Sequence, residues 1–195
     1  MTARRSFRAL FSATERKSLM KIKYRILLIT TPLVFVLDQL TKAAITAWLP
    51  IGTRIPVIPD FFDIVHFRNS GAAFGIFSGM HDDIRGPFFY GIAVAATILL
   101  AFLYRSLHER ECLMPLALSL VFGGIAGNIL DRIRFGSVVD FLSVHIGDRV
   151  MQGELFGRHF LVQLEWPAFN VADSAITVAM ILILIAAFRG THGAR

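Results

Sequence analysis

The stretch at 86–104 runs GPFFYGIAVAATILLAFLY, and none of its 19 residues carries a charge. A helix that crosses a membrane needs roughly 20 mostly apolar residues, so this stretch predicts a transmembrane helix. Three more stretches qualify, and they run from Tyr24 to Trp48, from Cys112 to Leu130 and from Phe169 to Phe188. Charged residues make up only 17% of the chain, against about 25% in soluble domains. The sequence therefore predicts an integral membrane α-helical protein with four transmembrane helices.

The distribution of basic residues predicts the orientation of these helices. Of the 20 Lys and Arg residues, 8 lie in the first 25 positions, whereas the connections 49–85 and 131–168 hold 7 basic residues against 9 acidic ones. Because basic residues concentrate on the cytoplasmic side, we expect both termini in the cytoplasm and both long connections outside. The chain then divides into a basic arm (1–23), one membrane domain (24–188) and a short cytoplasmic tail (189–195). An arm of this kind is typical of a membrane anchor, so we expect no nucleic acid partner.

The two outer connections contain segments with the pattern of β-strands. Residues 61–67 are rich in β-branched and aromatic side chains, and residues 158–166 alternate between apolar and polar. Their many aromatic side chains suit a membrane interface. We therefore predict a small extracytoplasmic β-sheet cradle over about 51–80 and a flap over about 141–166. A solvated loop is the alternative.

Four acidic residues are predicted to lie at one level near the outer surface. Counting along the helices at about 1.5 Å per residue places Asp38 in the outer half of the first span. Asp131 lies at the outer end of the third span, Asp173 near the outer start of the fourth, and Asp140 in the connection between them. An ionisable group in hydrocarbon costs at least about 2.5–3.5 kcal/mol. This convergence is hard to explain by packing, and it predicts a functional site.

Some of these polar residues also have simpler interpretations. Asp38 and Lys42 stand four residues apart on one helix face and could only neutralise each other. Asp131 could be an interfacial anchor. The Gly123-x-x-x-Gly127 spacing indicates a close contact between helices, because small residues let membrane helices approach each other. Asn128 is different, since a buried amide in a membrane needs polar partners.

Asp140 and Asp173 are the strongest candidates for catalysis. Asp140 lies in the apolar stretch 138–141, and Asp173 lies at a helix start, where the helix dipole favours an anion. If the two carboxyl groups face each other, they share one proton, because both cannot comfortably ionise. One can then deprotonate a water while the other protonates a carbonyl oxygen. The alternative is two unrelated acids that cap helix ends.

Other functions and mechanisms find less support in the sequence. An ion- or proton-coupled transporter would also place Asp and Lys in the membrane, but the acids cluster at one surface and do not trace a route across. A lipid-binding assembly factor is a second alternative. The six histidines are scattered without a His-Glu-x-x-His motif, so we expect no metal-dependent mechanism. A Gly-x-Ser-x-Gly motif is also absent from the sequence.

Five motifs in order resemble those of lipoprotein signal peptidase, also called signal peptidase II. They span the chain from about Tyr24 to Phe188, and together they are highly specific. The motifs are Asp38-Gln39-Leu40-Thr41-Lys42, Asn69-Ser70-Gly71-Ala72-Ala73-Phe74-Gly75, Gly127-Asn128-Ile129-Leu130-Asp131-Arg132, Val138-Val139-Asp140-Phe141 and Phe169-Asn170-Val171-Ala172-Asp173.

The resemblance implies an aspartic endopeptidase of the bacterial inner membrane that acts without a metal or cofactor. Its substrates would be diacylglyceryl-modified prolipoproteins, cut just before the lipidated cysteine, and globomycin-type compounds would inhibit it. By motif position Asp140 and Asp173 would be the catalytic pair. The resemblance implies supporting or substrate-binding roles for Asp38, Lys42, Asn69, Gly71, Asn128, Asp131, Arg132 and Asn170.

The sequence departs from the family pattern in two places. The segment 146–165 is longer than expected between the two catalytic motifs, so the flap is expected to be built differently. The basic arm 1–19 is also longer than is typical. Neither segment contains a motif residue.

Overall fold

The structure of the chain is a computed structural model, which describes residues 21–71, 79, 81–109, 111–155 and 158–192, without the side chains of 82, 148–164 and 189–192. All four long helices in this part of the chain are long and apolar enough to cross a membrane. The four predicted spans are therefore confirmed. Outside the described residues lie 1–20 of the predicted arm, 72–78 and 80 of the predicted cradle, 156–157 of the predicted flap and 193–195 of the predicted tail. In chain order the elements are α1 (Ile22–Trp48), β1 (Arg54–Ile58), β2 (Phe62–Asn69), α2 (Asp82–Ser106), α3 (Leu113–Phe135), β3 (Val138–Leu155), β4 (Arg158–Glu165) and α4 (Val171–His192).

Helix α3 is the centre of the helical bundle, and it packs against the other three helices. Its closest neighbours are α1 and α4, which it meets through glycines. A Cβ atom on Gly123 would lie 2.7 Å from the Cβ of Val34 in α1, and one on Gly124 would lie 2.7 Å from the carbonyl oxygen of Ala172 in α4. Only glycine fits at such distances, so the predicted close helix contact at this motif is confirmed.

The sheet has the antiparallel order β1-β2-β3-β4. Strand β2 pairs with the first part of β3, with a register shift between Ile64 and Phe67, and β4 pairs mainly with the second part of β3. This arrangement confirms the predicted small sheet and rejects the solvated-loop alternative. Strand β1 and the full length of β3 went unrecognised in the sequence.

Asp140 belongs to strand β3, so the catalytic candidates do not both come from helices. Helix α3 ends at Phe135, and the next residue, Gly136, has a φ of 68°, in the left-handed region that glycine adopts without strain. The chain then turns directly into β3, which begins at Val138. Leu142 in β3 and Phe169, which precedes α4, exchange two backbone hydrogen bonds. The fold therefore brings the start of β3 against the start of α4.

Candidate active site

Asp140 is buried at the start of β3, with 2% of its surface exposed. Each of its carboxylate oxygens accepts a hydrogen bond from an amide side chain. Asn69, at the end of β2, donates to Oδ2 at 3.0 Å, and Asn170 donates to Oδ1 at 2.8 Å. Donors on both sides fix the orientation of the carboxyl group.

Asp173 is positioned by the local structure at the start of α4. The side chain of Asn170 accepts a hydrogen bond from the backbone N–H of Asp173 at 3.0 Å, and Oδ2 of Asp173 accepts one from the backbone N–H of Asn170 at 3.3 Å. This reciprocal pair is a capping box, which satisfies two N–H groups that the helix leaves without partners. The spacing from Asn170 to Asp173 therefore both begins the helix and orients the acid.

Two amides connect the candidate catalytic acids. Asn128 donates to Oδ1 of Asp173 at 2.8 Å, and its own oxygen accepts from Asn170 at 3.2 Å and from Lys42 at 2.9 Å. Since Asn170 also donates to Asp140, a continuous path of hydrogen bonds runs from one carboxyl group to the other. The polar partners that the sequence required for Asn128 are present.

Both carboxyl groups line one cavity of about 560 Å³. The cavity lies between the start of β3, the residues before α4 and the first two turns of α4. Its walls combine polar and apolar side chains, as is usual for ligand sites. The lining residues are Asn69, Gly71, Asn128, Arg132, Val138, Asp140, Trp166, Pro167, Ala168, Phe169, Asp173, Ser174, Ile176, Thr177 and Val178.

Behind the cavity, Lys42 forms a buried ion network with two acids. Its ammonium lies 2.8 Å from Asp38 and 3.0 Å from Asp131, and all three side chains are at most 3% exposed. With its hydrogen bond to Asn128, the lysine uses all three of its donors. Asp38 and Lys42 therefore do more than neutralise each other. The burial of Asp131 also excludes its interpretation as an interfacial anchor.

Arg132 lies beside the cavity, with its guanidinium carbon 4.2 Å from the ring centre of Phe89. It donates from Nη2 to the carbonyl oxygen of Gly71 at 2.8 Å. The backbone N–H of Gly71 in turn donates to the side chain of Asn69 at 3.1 Å. Arg132 thus holds the backbone turn that follows β2, next to the amide that contacts Asp140.

The environment of Asp140 raises its pKa to about 7. Burial is the largest cause, because it penalises the charged carboxylate, and the nearby negative charge of Asp173 acts in the same direction. The hydrogen bonds from Asn69 and Asn170 oppose the change without cancelling it. Near neutral pH, Asp140 therefore holds a proton for a large part of the time.

Several polar residues around the site were not predicted from the sequence. Gln39 donates to both Asp38 and Asp131, and so adds to the buried network. In the cradle, Arg54 forms ion pairs with Asp63 and Glu165, and these pairs join β1, β2 and the end of β4. The position of Gln39 within the first motif could have indicated its role. No such signal marks Asp63 in the sequence, because nothing in the alternating pattern of β2 indicates its pairing with Arg54. In the part of the chain that the structure describes, no cluster of three His, Cys, Asp or Glu side chains could hold a metal ion.

Known proteins resemble this chain over nearly its whole length. The family model for signal peptidase (SPase) II matches residues 30–189. The lipoprotein signal peptidase of Syntrophotalea carbinolica is 44% identical over 86% of this chain and 93% of its own. The lipoprotein signal peptidase of Staphylococcus haemolyticus is 38% identical, and the match covers 89% of this chain and 98% of that protein.

A solved structure described as a "Bacterial membrane enzyme structure by the in meso method" has the same fold. The two structures superpose with a TM-score of 0.70 at 34% sequence identity. The match covers 87% of this chain and 91% of the other chain. These similarities confirm the resemblance drawn from the five motifs, and nothing in them supports a transporter. The chain belongs to the signal peptidase II family of lipoprotein-processing membrane proteases.

Proposed function

We propose that this chain removes the signal peptide from prolipoproteins by an aspartic mechanism in which Asp140 and Asp173 are the catalytic pair. Membership of the signal peptidase II family supplies the activity. The observation that supports the pair is the shared cavity, which both carboxyl groups line while Asn170 and Asn128 connect them. Acid–base catalysis of this kind accelerates a reaction by about 10²–10⁴-fold.

The different environments of the two acids suggest their roles. Asp140, with its raised pKa, holds the shared proton and donates it to the carbonyl oxygen of the scissile peptide bond. Asp173, as the carboxylate, takes a proton from a water whose oxygen attacks the carbonyl carbon. When the tetrahedral intermediate collapses, the carbon–nitrogen bond breaks and Asp173 gives its proton to the leaving amine. Asp140 recovers its proton from the former carbonyl oxygen, so the pair ends as it began.

The remaining motif residues act as positioning and substrate-binding groups in this proposal. Asn69 orients Asp140, and Arg132 holds the backbone at Gly71. Asp38 and Asp131, which Lys42 holds together, accept hydrogen bonds from the backbone next to the catalytic acids. Asn128 and Asn170 orient the acids themselves.

The cavity's apolar side fits a lipid-bearing substrate. Along α4 it continues past Asp173 to Ile176 and Val178, and 48% of the Val178 surface is exposed. An acyl chain could follow this side of the helix into the surrounding lipid while the peptide bond stays at the acids. We therefore infer a diacylglyceryl-modified precursor, cut just before its lipidated cysteine, because the membrane-held lipid orients the scissile bond.

The position of aromatic residues supports an active site near the outer leaflet of the bacterial inner membrane. Trp48, at the end of α1, is 85% exposed, and Trp166, just before α4, is 61% exposed. Exposed tryptophans gather at membrane interfaces, and these two stand at the same end of the bundle as the acids. Together with the basic N-terminal arm, they favour the orientation with both termini in the cytoplasm.

Cleavage of a lipidated precursor by the purified full chain tests this function. The same precursor without its diacylglyceryl group is the matched control. We expect cleavage of the first, on the amino side of the modified cysteine, much slower cleavage of the second, and inhibition by a globomycin-type compound. Equal rates on the two precursors would contradict the lipid requirement, and cleavage at another bond would contradict the assigned substrate geometry.

A further inference from the structure

A second cavity of about 480 Å³ lies between the end of β2, the first turns of α2 and the end of α3. Three arginines line it, and each comes from a different element: Arg68 from β2, Arg85 from α2 and Arg132 from α3. Among the lining residues that the structure describes there is no acidic side chain. The cavity therefore brings three guanidinium groups together.

Aromatic rings hold two of these guanidinium groups in place. The guanidinium carbon of Arg68 lies 4.2 Å from the ring centre of Phe135, and that of Arg132 lies 4.2 Å from the ring centre of Phe89. A ring attracts the flat face of a guanidinium and leaves the N–H groups at its edge available. Both rings line the cavity too, so they support the arginines without accepting their hydrogen bonds.

Two guanidinium nitrogens of the arginines that line this cavity are buried without an acceptor among the described residues. They are Nη1 of Arg68 and Nε of Arg132. A buried donor of this kind costs free energy unless it is hydrogen-bonded, and a charged donor costs more. An anion with several oxygens, such as a phosphate, would satisfy both nitrogens and balance the charge.

Two of the helices that line the cavity also expose apolar side chains. Ile84 on α2 is 60% exposed, and Ile133 on α3 is 64% exposed. These side chains stand next to Arg85 and Arg132 in the sequence, on helices that span the membrane. A lipid whose headgroup enters the cavity would place its acyl chains against such surfaces.

We propose that this arginine cavity binds the phosphate of an anionic glycerophospholipid. The phosphate oxygens accept hydrogen bonds from the guanidinium edges, and the acyl chains lie on the apolar helix surfaces outside. The site is separate from the cavity that holds Asp140 and Asp173, although Arg132 lines both. Bound lipid would thus hold the arginine that fixes the backbone at Gly71.

Native mass spectrometry of the full chain tests this proposal without any measurement of proteolysis. The detergent-solubilised protein is titrated with phosphatidylglycerol, with phosphatidylcholine and, in a third arm, with inorganic phosphate. We expect tight binding of phosphatidylglycerol only. Loss of one charge-assisted hydrogen bond corresponds to about a tenfold weaker binding, which we expect for Arg68→Gln and for Arg85→Gln.

Arg105→Gln is the matched control, since it removes the same charge from the opposite end of α2, where the side chain is exposed. This variant should bind phosphatidylglycerol like the unaltered chain. Equal binding by all three variants would overturn the proposal, as would equal affinity for phosphatidylcholine. Inorganic phosphate that binds as tightly as the lipid would overturn the assignment to a lipid headgroup. Because Arg68 and Arg85 are tested separately, a folding defect in one variant leaves the other as the test.

Discussion

Asp131 accepts a hydrogen bond at 3.0 Å from the backbone N–H of Val139, the residue immediately before Asp140. Asp38 makes the equivalent contact on the other side, because it accepts one at 3.0 Å from the N–H of Ala172, immediately before Asp173. Each buried acid of the ion network therefore holds the backbone next to one candidate catalytic acid. The network is a positioning device that spans α1, α3, β3 and α4.

Replacement of Lys42 tests this network. Lys42→Met leaves Asp38 and Asp131 buried without their shared cation, so we expect a loss of about 3–5 kcal/mol in the free energy of unfolding. Thermal unfolding in detergent measures the effect. Lys21→Met is the matched control, since Lys21 is half exposed and its ion pair with Glu109 contributes little. Equal unfolding temperatures for the two variants would contradict the role of the network.

Asn170 combines two functions that mutagenesis can separate. Asn170→Ser keeps a side-chain oxygen that can cap α4, but it removes the amide that donates to Asp140 and Asn128. We expect near-normal stability together with a large loss of kcat. Asn170→Ala removes the cap as well, and a lost cap costs about 0.5–2 kcal/mol.

Unfolding temperatures and cleavage rates of the two variants, measured side by side, distinguish capping from positioning. If Asn170→Ser retained full kcat, the amide would have no role in orienting the catalytic pair. A common loss of stability in both variants would show that the amide of Asn170, and not its cap alone, stabilises this region.

The catalytic pair itself predicts the effect of neutral substitutions. Asp140→Asn and Asp173→Asn keep the size of the side chains but remove the shared proton, so each should lower kcat by at least about 10²–10⁴-fold. The measurement is cleavage of a lipidated precursor, with far-ultraviolet circular dichroism as the check on folding. Asp60→Asn makes the same change at an exposed turn with φ of 59°, which asparagine tolerates, and should retain full activity. Substantial cleavage by either active-site variant would contradict the mechanism.

The helices were predictable from sequence because hydropathy alone encodes a membrane span. The segment 86–104 has no charge, and α2 contains it whole. Strand β3 was not predictable in full, because its beginning is an apolar run that a helix end could also contain. The structure assigns Val138 and Asp140 to a strand through pairing with β2, which is a contact distant in sequence.

The candidate site was predictable as a set of residues but not as a network. Counting along the helices gave the common level of Asp38, Asp131 and Asp173. The spacing of Asp38 and Lys42 indicated their pairing, but the sequence could not give the partners of Lys42 on α3. It also could not give the contact of Asp38 with the N–H of Ala172. Such contacts depend on how closely the helices approach, and that depends on glycines whose packing only the structure reveals.

Gly127 is the glycine whose close packing bears most directly on the ion network. A Cβ atom at this position would overlap the carboxylate of Asp38, so Gly127→Ala must displace the acid from Lys42 or move α3 away from α1. Overpacking of this kind costs about 1–3 kcal/mol, and we expect a corresponding fall in unfolding temperature together with lower kcat. Gly91→Ala is the control, because a Cβ there meets nothing within 4 Å. A Gly127 variant as stable and active as the Gly91 variant would contradict the close contact.

The raised pKa of Asp140 predicts how activity depends on pH. If Asp140 supplies the proton for the carbonyl oxygen, kcat/KM should fall as the pH rises above about 7, because the carboxyl group then loses that proton. Well above this value the fall should be about tenfold per pH unit. A profile that stays flat from pH 6 to about pH 9 would contradict the role of Asp140 as the acid.

The raised pKa of Asp140 also predicts how the free energy of unfolding depends on pH. The direction of this dependence is the opposite of the one usual for an aspartate. The folded chain binds the Asp140 proton more tightly than the unfolded chain, whose pKa is near the ordinary value of 3.8. The stabilisation from this proton is therefore complete below pH 3.8 and is lost as the pH rises to about 7. Asp140→Asn carries no titrating group at this position, so its unfolding temperature should fall less over that interval than that of the unaltered chain. Parallel curves for the two proteins would show that the pKa of Asp140 is not raised, and would contradict its role as the acid.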